Sequence, residues 1–268
     1  MLSLGSLTAL VTSAPIFLLI AVRAFAMIQT APVFSSTAIP MVAKVALAGC
    51  AAYCAFPVAS VAQGWQGIDA GSLSFVFLVI GEGAIGIIIG FFITILFSAF
   101  GTAGQFFAFQ MGFAMAESFD PLSQVENPLI GQFLNLVAML IFIVIGGMQT
   151  LLLGFERSLQ SLSIVSVIAG RQSVIDLLAG GLTNLFLDAA TIAMPIMGTL
   201  FLVNLATGLI GKAAPQINIM TEGFPISIGV AFILMFGIMP FMVEAFGRVI
   251  DSGFYAIQDL FIKIGVAI

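Results

Sequence analysis

The sequence has no histidine and few charged residues. Of its 268 residues 7 % are charged and 61 % are hydrophobic, whereas an average soluble domain has roughly 25 % charged residues. A water-soluble fold of this size could not bury so much apolar surface. Without histidine there is no HExxH zinc site and no Ser-His pair. The sequence therefore predicts a membrane protein that is not an enzyme, with an intramembrane carboxylate pair left as an alternative that no motif supports.

Metals, cofactors and nucleic acids are not expected as ligands. Cys50 and Cys54 lie in an apolar run without a second pair, which predicts two small buried hydrophobic side chains rather than a metal site. The segment Gly81-Glu82-Gly83-Ala84-Ile85-Gly86 has the dinucleotide spacing, but it lies in an apolar helical run with no strand before it. The net charge is −5 with no basic block, so no polynucleotide partner is expected.

Long stretches without charge predict several membrane-spanning helices. A helix needs about 20 apolar residues to cross hydrocarbon. Charges are absent from residues 1–22, 45–68, 83–116, 127–155, 189–211 and 223–243. The predicted fold class is all-α, a polytopic helical membrane protein built of helical hairpins.

Prolines, glycines and charges give the predicted helix ends. The stretch 73–116 is too long for one straight crossing, so we expect it to bend or break near residues 101–104 into a full helix and a shorter one. Residues 246–266 have an amphipathic pattern that could lie on a membrane surface or against a partner. The remaining expected helices are 7–30, 44–62, 129–155, 179–211 and 226–246, with loops or breaks at 32–40, 63–72, 117–128, 156–176 and 212–225.

Two charged residues and two glycines within apolar helices predict helix packing. Arg23 needs a partner or a wet environment in such a helix, and Glu82 should be hydrogen-bonded, paired or protonated. Gly86 and Gly90 are one turn apart, which would let the backbone of another helix approach closely. We interpret these residues as structural rather than as a proton relay.

Methionine and phenylalanine concentrate between residues 106 and 115. Ordinary core or lipid-facing packing is one interpretation of this cluster. The other is a deformable hydrophobic constriction, because methionine is flexible and bulky aromatic rings exclude water and ions. Gly104 and Gly112 would let such a segment bend.

Three short stretches, in order along the chain, form a recognisable set. The first has Arg23, Ala31-Pro32-Val33 and Ile39-Pro40 to Lys44. The second runs from Ala103-Gly104 through Gln110-Met111-Gly112 to Asp120-Pro121. The third has Asn204-Leu205-Ala206-Thr207-Gly208-Leu209, then Ala214-Pro215-Gln216-Ile217-Asn218, then Gly223-Phe224-Pro225. Taken together, these stretches resemble the FliR/SctT family of export-gate subunits.

The resemblance implies a single-copy subunit of a helical export gate in the bacterial inner membrane, at the flagellar basal body. FliP/SctR-like and FliQ/SctS-like subunits would assemble with it, an FlhB/SctU-like subunit would contact it, and unfolded proteins would pass through the gate. Residues 1–268 would form one domain, with a FliP-like part over 1–176 and a FliQ-like hairpin plus amphipathic helix over 177–268. No cofactor is implied.

Two sets of candidate residues follow from these patterns and from the resemblance. By the resemblance, the family's plug loop corresponds to residues 106–121. This correspondence favours a hydrophobic constriction over ordinary packing as the role of the Met/Phe cluster. The pore and plug set is Phe106, Phe109, Gln110, Met111, Gly112, Phe113, Met115, Asp120 and Pro121. The assembly and packing set is Arg23, Pro32, Pro40, Lys44, Glu82, Gly86, Gly90, Pro215, Gln216, Asn218, Gly223, Phe224 and Pro225.

Two alternative functions stay open at this point. A small-solute secondary transporter would have two related halves with broken helices. The breaks at 31–40 and 212–225 fit that pattern, although their flanking sequences do not match. A virulence secretion version of the same gate is the second alternative, and Gly223-Phe224-Pro225 favours the flagellar branch over it.

Overall fold

The described part of the chain is almost entirely α-helical. The computed structural model describes residues 4–36, 39–62, 65, 71–112, 129–214, 216 and 219–265. In these residues there are nine α-helices and no β-strand. They are α1 (Leu4–Thr30), α2 (Pro32–Ser35), α3 (Met41–Ala62), α4 (Leu73–Gln110), α5 (Leu129–Val144), α6 (Gly147–Ser161), α7 (Ile164–Ala169), α8 (Arg171–Ala213) and α9 (Ile219–Gly265).

Most of this helical length is suited to a bilayer. Five helices in the described part of the chain are long and apolar enough to cross a membrane, namely α1, α3, α4, α8 and α9. The bent pair of α5 and α6 raises the number to six if it forms one span. The predicted all-α, polytopic membrane fold is confirmed.

The helices form two compact units. Unit 1 contains Met1–Ile95, Gly146–Gly181 and Ser252–Ile268, and unit 2 contains Leu96–Ile145 and Leu182–Asp251. Helices α4, α8 and α9 contribute residues to both units.

The core of unit 1 forms where α1 packs along α3, which in turn contacts α6. Helix α1 contributes the buried side chains Leu19, Ile20 and Met27. Helix α3 contributes small buried residues, Ala48 and Ala52 among them, one helical turn apart. Small side chains at that spacing let two helix backbones approach closely without a ridge of bulky residues between them.

The core of unit 2 is aromatic. Phe97 of α4 meets Phe142 of α5 edge to face, with ring centroids 5.4 Å apart. Phe100 lies one turn further along α4, and its ring centroid is 4.3 Å from that of Phe246 in α9. Aromatic rings favour tilted and edge-on contacts of this kind, so they join α4 to α5 and to α9.

The predicted break near residues 101–104 is wrong, because α4 continues from Leu73 to Gln110. Gly104 instead packs directly on the backbone of Gly131 in α5. The glycine provides close approach between two helices, and it does not end one of them.

The predicted single helix over 129–155 is also wrong. Helices α5 and α6 meet at a bend of 71°, and between them Gly146 has a φ of 80°. Only glycine adopts that left-handed conformation without a steric penalty, so this residue allows the chain to turn inside an apolar run.

The predicted loop over 156–176 is mostly helical. Helix α6 continues to Ser161, and Ser163 then starts α7 with a reciprocal cap in which Ser166 N donates to Ser163 Oγ at 3.1 Å and Ser163 N donates to Ser166 Oγ at 2.9 Å. Such a capping box satisfies two backbone donors at a helix start. The break over 212–225 is shorter than predicted, since α8 reaches Ala213 and α9 begins at Ile219.

The amphipathic pattern near the end of the chain is confirmed, but this segment is the last part of α9. Its apolar residues face the interior of the chain: Phe246, Val249, Ile250, Ile257, Leu260, Phe261 and Ile264 are buried. By contrast, Cys50 and Cys54 are exposed on α3, against the prediction that they are buried. A membrane helix can be apolar on its outer face as well, so an apolar neighbourhood did not indicate burial.

Candidate functional site

A buried ion pair fixes α1 to α4 in unit 1. Arg23 Nε donates to Glu82 Oε2 at 2.5 Å, and the two side chains are 0 % and 1 % exposed. A charged group without water needs an opposite charge and further hydrogen bonds to be tolerated. Each of these residues provides the partner that the other requires.

The rest of the Arg23 guanidinium binds the end of α6. Nη1 donates to Ser158 O at 2.6 Å, and Nη2 donates to Leu162 O at 2.9 Å. The C-terminal end of a helix carries partial negative charge, which favours a nearby cation. All three guanidinium nitrogens are therefore used, and one side chain connects three helices. Ser158 carries no signal in the sequence that would have identified it.

Gly86 and Gly90 lie where α4 crosses α1. A Cβ on Gly86 would overlap Arg23 O and lie 2.9 Å from Ala26 Cβ. A Cβ on Gly90 would overlap Thr30 Oγ1 and lie 2.7 Å from Met27 O. One turn on, Thr94 Oγ1 donates to Thr30 O at 2.7 Å. The partner of both glycines is therefore a helix of the same chain.

Three other residues of the assembly set lie in α2, just before α3 and in the first turn of α3. Pro32 is buried and begins α2, where its missing N–H is no loss. Pro40 is exposed, and its carbonyl accepts from Ala43 N at 2.9 Å and Lys44 N at 3.3 Å as the first hydrogen bonds of α3. The Lys44 side chain is buried.

The last turns of α4 have two different faces in unit 2. Phe107 and Met111 are buried, Met111 being 2 % exposed, whereas Phe109 is 73 % exposed. Phe106 and Gln110 are half-buried. The described part of the Met/Phe cluster, residues 106–111, therefore has a buried side and an exposed side, with Phe109 on the exposed side.

Asn204 contacts the end of α4 and Ser227 contacts Asn204; neither residue was among the site residues predicted from the sequence. Asn204 Nδ2 of α8 donates to Gln110 O at 3.2 Å, and Ser227 Oγ of α9 donates to Asn204 Oδ1 at 2.7 Å. Beside them, the Phe224 ring occupies the space that a Cβ on Gly112 would need. Gly112 has a φ of 87°. The structure thus brings Gln110, Gly112 and Phe224 together.

Three further candidate residues lie in the described part of the chain around the start of α9. Gln216 is an exposed turn residue. Gly223 and Pro225 lie within α9, where Pro225 is exposed. Phe113, Met115, Asp120, Pro121, Pro215 and Asn218 lie outside the described residues. Within the described residues, no three Cys, Asp or Glu side chains converge as a group that could hold a metal ion.

The chain has five membrane-length helices in its described part, and a buried ion pair joins two of them, α1 and α4. These features define the class of the protein as a polytopic membrane protein.

The sequence matches the family model of bacterial export proteins, family 1, over residues 14–253. The flagellar biosynthetic protein FliR of Bacillus subtilis (strain 168) is 28 % identical over 255 residues, 94 % of this chain and 97 % of that protein. The FliR proteins of Escherichia coli (strain K12) and Pectobacterium carotovorum subsp. carotovorum are 28 % and 31 % identical, over 89 % and 86 % of this chain and 89 % and 88 % of their own lengths.

The chain belongs to the bacterial export proteins, family 1. The predicted resemblance to FliR proteins is confirmed, and so is the prediction of a flagellar export component in place of a small-solute transporter. Because this is a transport family, membership also supports a role without catalysis.

Proposed function

We propose that the chain is a subunit of the channel through which unfolded proteins cross the bacterial inner membrane at the flagellar basal body. FliP-like and FliQ-like subunits assemble with it, and an FlhB-like subunit contacts it. The observation that carries the proposal is the family match over residues 14–253, in a chain with five membrane-length helices in its described part.

The uncovered apolar surface supports a chain surrounded by lipid and by other subunits. Large apolar side chains are exposed on α3, Val42 and Tyr53 among them, and on α9, including Ile233 and Phe236. Apolar surface of this extent needs a bilayer or a partner to cover it.

We further propose that the end of α4 closes the channel. Phe107 and Met111 hold the last turns of this helix inside unit 2, while Phe109 presents its ring outward. A bulky ring on an anchored helix can obstruct a narrow passage and exclude water and ions. Phe113, Met115, Asp120 and Pro121 belong to the same proposal by resemblance.

The proposal includes two parts of the chain, one FliP-like over 1–176 and one FliQ-like over 177–268. The family resemblance supports this division. Helices α8 and α9, two long helices on either side of a short connection, fit the hairpin expected for the second part. The first residues of α8 lie before the proposed boundary.

Membership of a gate complex is tested by purifying the tagged chain from its native cells in mild detergent. Native mass spectrometry should find a large complex that contains FliP-like and FliQ-like proteins. A monomer or homodimer free of other subunits would contradict the proposal.

Closure is tested by the ion conductance of the assembled complex in planar bilayers. Phe109→Ala should increase the conductance of the resting complex, because the obstructing ring is removed, while the subunit composition stays unchanged. Phe236→Ala removes an equally exposed ring elsewhere in unit 2 and should have no effect. An unchanged conductance for Phe109→Ala in an intact complex would reject the closing role.

A further inference from the structure

The polar contact at the end of α4 uses both sides of one amide. Asn204 Nδ2 donates to Gln110 O at 3.2 Å and to Gln110 Oε1 at 3.4 Å. Asn204 Oδ1 accepts from Ser227 Oγ at 2.7 Å. Ser227 is buried and Asn204 is half-buried. Three side chains from three helices therefore form one connected group, which we name the polar clamp.

The chemistry of the clamp suits the end of a helix. The last four carbonyls of an α-helix have no partner within the helix, and Gln110 is the last residue of α4. An amide carries a donor and an acceptor on opposite atoms, so Asn204 can bridge Gln110 to Ser227 in one step. An aspartate would lose the donor, and a leucine of similar size would lose all three hydrogen bonds.

An apolar contact adjoins the clamp. The Phe224 ring of α9 lies against Gly112, where no side chain would fit. The last turn of α4 and the two residues after it are thus held at a polar point and at an apolar point, both provided by α8 and α9. Met111 is buried between these two points of attachment.

We propose that Asn204 is a positioning residue that holds the last turn of α4 against α8 and α9 and thereby sets the resting position of Phe109. This rests on the proposed closing role of α4. The last turn of α4 moves only if the Asn204 bonds break or if α8 and α9 move with it. The hairpin of α8 and α9 consequently controls the closing element.

The test compares three variants in the purified assembled complex. Asn204→Leu removes the hydrogen bonds of Asn204 with both Gln110 and Ser227. Ser227→Ala removes only the bond between Ser227 and Asn204. Thr199→Val is the matched control, because Thr199 also lies on α8 but donates to Pro195 O of its own helix. The two measurements are deuterium uptake of the peptide that covers residues 107–112 and resting ion conductance in planar bilayers.

Asn204→Leu should increase both deuterium uptake and resting conductance several-fold, Ser227→Ala should increase both by less, and Thr199→Val should change neither. Wild-type uptake in both Asn204→Leu and Ser227→Ala would overturn the positioning role, whatever the function of α4. Suppose first that Phe109→Ala increases the resting conductance. Increased deuterium uptake in Asn204→Leu without increased conductance would then overturn the link between Asn204 and closure. If Phe109→Ala does not increase the conductance either, the proposed closing role of α4 has failed, and deuterium uptake alone decides whether Asn204 positions the helix.

Discussion

Gly104 of α4 and Gly131 of α5 lie backbone against backbone: a Cβ on Gly104 would be 2.6 Å from Gly131 Cα and 2.8 Å from Gly131 N. Such distances leave no room for even a methyl group. The contact between these two helices in unit 2 therefore depends on the absence of a side chain.

We predict that Gly104→Ala destabilises the protein by roughly 1–3 kcal/mol, the usual cost of overpacking a tight contact. Gly101→Ala is the control on the same helix, because a Cβ there has no neighbour within 4 Å. Alanine in a helix is favoured over glycine by up to about 1 kcal/mol, so the control should be neutral or stabilising. The measurement is the thermal unfolding midpoint of both purified variants in detergent. Equal midpoints would show that Gly104 and Gly131 do not form a tight contact.

We predict that Arg23→Gln costs roughly 3–5 kcal/mol, because it leaves the Glu82 carboxylate buried without its partner. The control is Arg248→Gln, whose ion pair with Glu244 is exposed and is worth at most about 1 kcal/mol. The fraction of each variant that elutes as a folded species after mild heating gives the comparison. Similar losses for both variants would mean that Arg23 is not the central link of unit 1.

Replacing both members of the pair should restore only part of that loss. Arg23→Met with Glu82→Leu removes both buried charges, and such exchanges are often tolerated. Ser158 O and Leu162 O would still lose the donors that Arg23 provides. The double variant is therefore expected to fall between wild type and Arg23→Gln in the same heating experiment, and a full return to wild type would show that these two carbonyl contacts contribute little.

We predict that Gly146→Ala costs about 1–2 kcal/mol, the penalty for a side chain in the left-handed conformation. Space is available there, since the nearest atom to a Cβ is Gln149 Oε1 at 3.6 Å, so the cost is conformational. Gly154→Ala, at an open position on α6, should be neutral or stabilising. Thermal unfolding in detergent separates the two, and a stable Gly146→Ala would argue against the bend between α5 and α6.

We predict that Gly86→Ala weakens the contact of α4 with α1 and lowers incorporation into the export complex. The added methyl would overlap Arg23 O, so α4 must move away and stretch the Arg23 to Glu82 bond. Gly83→Ala, one turn earlier, meets only Val22 Cγ1 at 3.5 Å and should be tolerated. The amount of each variant that co-purifies with the complex gives the result, and equal recovery would contradict the prediction.

The sequence indicated which residues need a contact, but it did not indicate which residues provide that contact. An arginine in an apolar helix must be neutralised, and glycines one turn apart indicate close packing; both inferences rest on local pattern. The partners of Arg23 are 59 to 139 residues away, and nothing local encodes such a distance. Asn204 carried part of the family resemblance, yet its contact with Gln110 depends on how α8 meets α4.

The prediction of helix boundaries failed where one sequence signal, such as a glycine in an apolar stretch, can have two physical causes. The glycines at 101–104 suggested a break, but the helix continues through them, and Gly104 serves close packing with α5. Gly146 does allow a turn, yet it lies in an apolar stretch that predicted one continuous helix. Cys50 and Cys54 were predicted to be buried because their neighbours are apolar, a rule that holds in water and fails for a helix whose surroundings are apolar too.

The buried ion pair also constrains the order in which the membrane fold is completed during synthesis. Arg23 is made 59 residues before Glu82 and 135 residues before Ser158. A ribosome that adds roughly 5–20 residues per second needs about 3–12 s to reach the first partner and about 7–27 s to reach the second. Until then the guanidinium must keep water or lipid headgroups as partners, since an unpaired charge in hydrocarbon is costly. Helix α1 consequently completes its buried contacts only after α4 and α6 have been synthesised.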